Sequence, residues 1–421
     1  MRYKLNQKDI EILKLIPDPF KKRDYLQELG IDYFQKSKGK LICTWATATG
    51  KTVLALKIIK KLQLKHTGEI HITVPTDILK EQWEKNLSDF KDVKVYTIHS
   101  YLKQATCVPK LLCCDEIHIG IATEEGEAFN KINDVPAPFK LYLSATLKKL
   151  QLKYLATKGM FDEFNIGISE ALMLDLVPPL SIYNVTVPFT EKEKSDYVDA
   201  ITRETKALDW FSFFNIIKLY NVPPIIPGEN SAPMFYSYLR ARSKRINLVT
   251  KASNKEGYVQ KIVDFLKGRK IILFSTSQKQ ADEIHKLIPE STVYHTGIKK
   301  AKENYDKFIN NEINIISSVG KLIAGLDDAC TDSILRISFF STESATKQSL
   351  GRILRINPED PNKTGVMINL VIEPFMWEEK PITPCDNTWI HIGLRTLDYE
   401  FLTIEKLEKT IKDETNRIFK G

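Results

Sequence analysis

No stretch of the 421-residue chain approaches the roughly 18 consecutive apolar residues that a membrane-crossing helix needs, so no membrane partner is expected. The first twenty residues scatter charges among their apolar side chains and offer no small-residue cleavage site, which argues against a secretory signal. Cysteine is scarce, with six residues and no Cys-x-x-Cys pair that finds a matching partner. Cys113 and Cys114 are adjacent and Cys43 sits in an apolar run. This pattern reads as buried strand thiols in a reducing compartment, and neither a disulfide nor a zinc site is expected. Glycine and proline are few, at 18 and 19 residues. No segment is low in complexity and no short repeat recurs at fixed period.

What remains is an ordinary globular composition, 43% hydrophobic and 27% charged. The length allows at least two cores, since domains usually run to about 100–200 residues. The formal net charge of +8 suits a polyanionic partner, because clustered cations attract phosphate and release counterions. Solvated faces of lysine-rich helices would account for the same charge.

Short apolar runs alternate with amphipathic helical stretches. In the first half the runs are Leu41–Trp45, His71–Val74, Val93–Ile98, Leu111–Cys114 and Leu141–Leu143. In Lys51–Leu64, Leu54, Ile58 and Leu62 share one face opposite Lys57, Lys60 and Lys61. Near-continuous apolar strands alternating with helices imply a parallel sheet covered on both sides. A second series follows: Ile271–Phe274, Val293–His295, Ile313–Ile316, Ile334–Phe340 and Val366–Val371. Two α/β domains of one kind are therefore expected, 1–175 and 176–421, with the boundary near the Pro178-Pro179 turn. Between the series the strand signal weakens, and about 190–253 reads as a helical elaboration at the start of domain two.

Three motifs carry chemistry in the first half. Trp45-Ala46-Thr47-Ala48-Thr49-Gly50-Lys51-Thr52 follows a strand and opens a helix, the context a phosphate-binding loop requires. Its backbone amides would curl around phosphates, with Thr47, Thr49 and Gly50 in the loop. Lys51 would reach the β- and γ-phosphates, and the Thr52 hydroxyl would bind Mg²⁺. Trp45 stands where the full signature has glycine. The second motif, Leu111-Leu112-Cys113-Cys114-Asp115-Glu116-Ile117-His118, ends a strand in two carboxylates at the sheet edge where ligands of open α/β sheets bind. Asp115 would hold Mg²⁺ through water, Glu116 would accept a proton from the attacking water, and His118 would sense the state of the site. The third, Ser144-Ala145-Thr146, brings small hydroxyl residues to the same edge.

The order Gly-Lys-Thr, Asp-Glu-Ile-His, Ser-Ala-Thr resembles that of superfamily 2 helicases, and further segments fit. The stretch from Thr73 to Trp83, with Pro75 and Thr76, looks like motif Ia. Tyr96-Thr97-Ile98-His99 looks like motif Ib. Both imply contacts to a nucleic-acid backbone. Arg23 and Gln27 resemble the family's adenine-reading segment. In the second half Gln348-Ser349-Leu350-Gly351-Arg352-Ile353-Leu354-Arg355 fits Q-x-x-G-R-x-x-R. On a helix Gln348, Arg352 and Arg355 would share one face, and two guanidinium groups could neutralise charge on a γ-phosphoryl group. Ser318 to Asp327 resembles motif V, which places Gly325 and Asp327 near the nucleotide and Ser318 near the strand. Ser275, in Phe274-Ser275-Thr276-Ser277, resembles motif IV.

The resemblance implies two tandem RecA-like domains, ATP and Mg²⁺ as cofactors, and a nucleic-acid partner. With ATP on domain one and the arginines on domain two, hydrolysis would require cleft closure. The Gly-Arg-Ile-Leu-Arg form looks most like phage recombination helicases of the UvsW kind and XPB-type repair helicases, more distantly Swi/Snf-type translocases. DNA is therefore the expected track, in recombination, repair or replication, with RNA as the alternative. Other readings are a duplex DNA translocase subunit that does not separate strands and a non-hydrolysing binding module. A loading or recombination protein partner and a cytoplasmic location, in a bacterium or a phage-infected host, would fit this style. Finally, Phe235 to Arg245 sets aromatic residues beside four cations. That segment is either a base-stacking grip or a helix that buries its rings and leaves its cations in solvent.

Overall fold

The computed structural model describes residues 2–121, 127–213, 231–319, 328–338, 343–394 and 397–418. The chain divides into two compact units. One comprises Met1–Ser181 with Lys321–Asp332 and Glu343–Gly365, and the other Ile182–Gly320 with Ser333–Thr342 and Val366–Gly421.

In the first unit seven strands are β1 (Arg2–Tyr3), β2 (Lys40–Trp45), β3 (Ile70–Val74), β4 (Val93–Thr97), β5 (Leu111–Cys114), β6 (Phe139–Ser144) and β7 (Asp162–Ile166). They form one sheet in the order β1-β7-β2-β6-β5-β3-β4, and every pairing is parallel. Parallel neighbours put their C-terminal ends on one edge. The adjacent strands β2, β6 and β5 thus deliver the loop at 46–50, Ser144 and Asp115 side by side. All residues of β3 and β5 are buried, as expected for a sheet covered on both faces. The thiols of Cys43, Cys113 and Cys114 lie in this interior. The helix Lys51–Gln63 buries Leu54, Ala55, Ile58, Ile59 and Leu62, the face its periodicity marked. The helix Pro19–Lys36 starts on Asp18, whose carboxylate accepts the Phe20 amide at 2.8 Å, with proline in the first turn.

The second unit holds β8 (Leu180–Val187), β9 (Ile271–Ser275), β10 (Thr292–Tyr294), β11 (Ile315–Val319), β12 (Ser333–Arg336) and β13 (Gly365–Ile372). A hairpin of β14 (Phe375–Trp377) and β15 (Lys380–Ile382) follows, then β16 (Glu400–Leu402). The large sheet runs β10-β11-β9-β12-β13-β8-β16. Its core joins Val185, Leu273, Leu335 and Leu370 to Val259 and Ile262 of the helix Lys255–Phe265. The elaboration after β8 is a pair of long helices, Glu191–Phe213 and Ser231–Thr250. Lys244 bridges to Asp196 at 2.8 Å and Asp199 at 3.4 Å. Arg245 makes a two-pronged bond to Glu204, at 2.5 and 3.0 Å. In the segment 235–245, Tyr238 is buried, Arg242 donates to its hydroxyl at 3.0 Å, and Arg240 is exposed. Two of the four cations are thus engaged by the acidic face of the preceding helix.

The fold is the tandem RecA-like α/β arrangement anticipated, with strands beyond the ten apolar runs. β7 and β8 escape an apolar-run reading because they carry polar residues satisfied sideways. Buried Glu163 accepts from Thr44 at 2.5 Å and pairs with Arg2 at 3.1 Å. Asn369 of β13 donates to Asn184 of β8 at 2.8 Å. The expected strand 334–340 is shorter, ending at Arg336, and residues 339–340 lie outside the described residues.

Candidate nucleotide site

The loop after β2 owes its curl to two left-handed residues, Ala48 at φ 65° and Gly50 at φ 94°. A Cβ at Gly50 would stand 2.7 Å from Gln27 Nε2 and push that side-chain amide aside, and the positive φ itself favours glycine. The helix that starts at Lys51 has no side-chain cap, so its first amides and the positive end of its dipole face the loop's hollow. The Lys51 ammonium lies back on the loop, donating to the carbonyls of Trp45 at 2.9 Å and Ala46 at 3.1 Å. Thr49 is fully buried and spends its hydroxyl on the Ala46 carbonyl at 2.7 Å. Its side chain therefore braces the loop from within, while Thr52 lines the open side.

Asp115 is held from two directions. Trp83 Nε1 donates to one carboxylate oxygen at 2.9 Å and the Glu116 amide to the other at 3.0 Å. Burial, reinforced by the neighbouring Glu116 charge, pushes the Asp115 carboxyl above the ordinary carboxylate range. Burial would raise Glu116 too. The hydrogen bond and charge of His118, with Lys51 and Arg352, outweigh it and hold Glu116 below the ordinary carboxylate range. The two acids are thus driven apart, the separation that assigns different roles to paired carboxylates. Glu116 itself adopts φ 49°, a left-handed turn that ends the strand and aims the next residues back at the sheet edge.

His118 sits at the centre of the site. Its Nδ1 lies 2.9 Å from Ser144 Oγ and 3.1 Å from Glu116 Oε2. Its Nε2 lies 3.3 Å from Gln348 Nε2. Ser144 Oγ also accepts the Thr146 amide at 3.1 Å. An amide nitrogen is only a donor, so in the neutral ring this contact makes His118 Nε2 the acceptor and puts the proton on Nδ1, toward Ser144 and Glu116, whose carboxyl is lowered further when the ring is protonated.

Gln348 and Arg352 belong to the helix Glu343–Ile353, which follows β12 in sequence yet is part of the first compact unit. Buried Leu350, Ile353 and Leu354 anchor it. Arg355 falls two residues past the helix end, where the Leu354 amide still reaches the Leu350 carbonyl at 3.1 Å. Helical bonding thus runs one residue beyond the regular helix and stops short of Arg355. Gly351 fixes the approach: a Cβ there would meet the Thr47 side chain at 2.5 Å. Lys363 steadies the exit of this segment, donating to the carbonyls of Ala329 at 2.5 Å and Arg355 at 2.8 Å.

These groups surround one cavity of about 440 Å³, lined on one side by Thr47, Lys51, Thr52 and Asp115 and on the other by Gln348, Arg352 and Arg355. Arg23 also lines it, anchored through Nε to the Leu176 carbonyl at 2.8 Å. Burial lowers the Arg23 guanidinium to about 10, so it stays charged at neutral pH. Two buried polar atoms here, Arg23 Nη2 and Gln27 Oε1, have no hydrogen-bond partner. Such orphans are expensive in a closed interior, and a nucleotide base offers complementary donors and acceptors. Together with the uncapped helix start and the Thr52–Asp115 pair, they fit a Mg²⁺-nucleotide.

The nucleic-acid residues expected from motifs Ia and Ib share the edge above β3 and β4. Pro75 and Thr76 follow β3, where the Thr76 hydroxyl accepts the Leu79 amide at 3.3 Å and starts the helix Asp77–Asn86. Thr97 ends the neighbouring β4, its hydroxyl donating to Ser100 at 3.0 Å, and His99 is exposed. Ser275 and Ser318 behave differently. Both are fully buried in the second sheet, and the Ser318 hydroxyl is committed to the Tyr294 carbonyl at 3.0 Å. Their side chains serve the interior, which leaves only neighbouring groups to meet a strand. Gly325 and Asp327 lie outside the described residues. Trp83 and Lys363 carry roles that reading the motifs did not assign; the Gln82-Trp83 pair one turn after β3 was the available signal for the first.

Two seven-stranded α/β sheets of this kind give the tandem RecA-like fold that the chain shares with solved helicase and restriction-enzyme structures. Residues 2–108 match the family model described as the type III restriction enzyme res subunit. The helicase domain of Hef from Pyrococcus furiosus is similar in fold at TM-score 0.53 and 14% identity, over 83% of this chain and 97% of that one. Dbp5 from S. cerevisiae, solved with RNA and ADP BeF3, gives 0.61 and 12% over 96% and 98%. The type ISP restriction-modification enzyme LlaBIII, solved with DNA, gives 0.57 and 15% over 91% of this chain but only 30% of its own. No curated protein matches the chain in sequence.

Proposed function

We propose that the protein is an ATP-driven motor on nucleic acid, a helicase or translocase with DNA as its preferred track. The observation that carries this is the His118 contact set, which joins Glu116, Ser144 and Gln348 within 3.3 Å of one imidazole. A plain nucleotide hydrolase needs no such link between its general base and two further segments. Lys51 would leave the Trp45 and Ala46 carbonyls for the β- and γ-phosphates, and Thr52 and Asp115 would hold Mg²⁺, Asp115 through water. Glu116, kept ionised by its neighbours, would take the proton of the attacking water, while Arg352 and Arg355 would offset charge growing on the transferred phosphoryl group. Bound Mg²⁺ would supply further neutralisation of that charge.

DNA is favoured by the match to a restriction-enzyme family and by the likeness to a DNA-bound restriction enzyme, with the excess of positive charge in support. The likeness to an RNA-bound enzyme makes RNA the competing track. The deciding experiment compares ATPase stimulation by single-stranded DNA, duplex DNA, forked DNA and RNA at one stated salt concentration, with strand displacement measured alongside. Stimulation by DNA with displacement of a forked strand supports the helicase reading. Duplex stimulation without displacement replaces it by a translocase, and RNA-only stimulation rejects the DNA track.

A further inference from the structure

At the N-terminal edge of the first sheet, opposite the nucleotide residues, three side chains of different chemistry converge. Glu69 precedes β3, His71 is its second residue, and Cys107 lies in the loop that leads into β5. Cys107 Sγ is 3.3 Å from Glu69 Oε2 and 3.9 Å from His71 Nε2, and that nitrogen is 2.9 Å from Glu69 Oε2. Among the described residues this is the one group of three metal-ligating side chains whose donor atoms all converge.

We propose that Glu69, His71 and Cys107 form an open three-ligand site for a divalent d-block cation of the Zn²⁺ type. Thiolate, imidazole and carboxylate are the donors such an ion takes, and three protein ligands leave the fourth position to water. Zinc-to-ligand bonds of about 2.0–2.3 Å in a tetrahedron separate donor atoms by roughly 3.3–3.6 Å. The three separations found here bracket that range, so shifts of a few tenths of an ångström seat the ion. Neither Glu69 nor Cys107 is held in the core, and both can make such a shift.

The surroundings are arranged as outer support. His71 is fully buried, and its Nδ1 lies 3.1 Å from the Tyr101 hydroxyl. The rings of Tyr96 and Tyr101 wall the imidazole at centroid distances of 5.2 and 5.6 Å. With the ring proton on Nδ1 toward Tyr101, Nε2 presents its lone pair to the other two donors. Lys94 holds the second carboxylate oxygen, Glu69 Oε1, at 2.7 Å, which leaves Oε2 to the ion. Cys107 is exposed, so the ion enters from solvent and the thiol proton leaves to solvent as the thiolate coordinates. The bound ion clips the loop before β5 to the start of β3. It acts on the framework that carries Asp115, and takes no part in the nucleotide chemistry. Two ligands flank Ile70 at the start of β3 and the third comes from the loop before β5, so no Cys-x-x-Cys signal announces them.

The test uses the full chain, stripped with a chelator and titrated with Co²⁺ and then Zn²⁺. About one Co²⁺ per chain is expected to bind with the intense visible bands of a tetrahedral centre and a near-ultraviolet sulfur-to-metal charge-transfer band, both erased when Zn²⁺ displaces it. C107S should abolish the charge-transfer band and weaken Zn²⁺ at least about tenfold, with Mg²⁺-dependent ATPase of the metal-free protein unchanged. E69Q should weaken the ion while keeping the band. Zn²⁺ should raise the thermal midpoint of the wild-type chain and leave that of C107S unmoved. Absence of binding, or a charge-transfer band that persists in C107S, overturns the site and leaves a hydrogen-bonded cluster only.

Discussion

His118 and Gln348 stand 230 positions apart in sequence, yet the imidazole Nε2 of one lies 3.3 Å from the amide nitrogen of the other. Through the opposite ring nitrogen the same imidazole reaches Glu116 and Ser144. The general base of the proposed reaction, the Ser-Ala-Thr segment and the arginine-bearing segment thus share one side chain. Q348A removes a donor to a half-buried ring, worth about 1–1.5 kcal/mol. Turnover stimulated by nucleic acid should fall about tenfold, while affinity for a non-hydrolysable nucleotide stays constant in fluorescence titration. Equal losses in stimulated and unstimulated turnover would make the contact structural.

Arg355 and Arg352 line the cavity opposite Lys51 and Thr52. R355A should leave nucleotide binding nearly intact, since in the proposed reaction the loop and Lys51 would hold the phosphates. Turnover should fall by about 10³-fold or more, the range for loss of a transition-state arginine. Calorimetric binding and single-turnover hydrolysis separate the two. A matching loss of binding would move Arg355 from catalysis to ground-state recognition.

Much of this candidate site was legible because the phosphate chemistry proposed for it calls for certain residue types in fixed places. Gly50 is demanded by φ 94°, Lys51-Thr52 by the helix start, and Asp115-Glu116 by the end of a buried strand. Less legible were the residues that shape the site without touching a ligand. Trp83 reads as an apolar helix residue until the fold brings its indole N–H to Asp115. Ser275 and Ser318 have the right type and place in sequence, but side chains in a doubly covered strand alternate between two buried faces, and both turn inward. β7 was hidden because the partners of its polar residues come from distant strands.

Gly351 and Thr47 test that shaping directly. A Cβ at residue 351 would lie 2.5 Å from Thr47 Cβ, an atom fixed to the loop backbone and unable to swing aside. G351A should therefore push the arginine-bearing helix off the phosphate loop and lower turnover about 10²-fold, as expected when catalytic groups move by about 1 Å. Adding T47G removes the obstructing atoms and should recover a substantial part of the loss. Failure of the double variant to exceed G351A would place the fault in the helix itself.

Lys363 offers a test through pH. Its ammonium is buried between the Ala329 and Arg355 carbonyls, and burial lowers it to about 8, against about 10.4 in an unfolded chain. Between those values the unfolded chain holds a proton that the folded one has released. Stability conferred by this group therefore rises with pH across that window and is flat below it. The urea midpoint of the wild-type chain should climb from pH 8 to 10 relative to K363M, in which the titrating group is gone. Below pH 8 the difference between the two should not change with pH. Parallel curves across the whole range would show that the Lys363 ammonium is as well solvated in the fold as outside it.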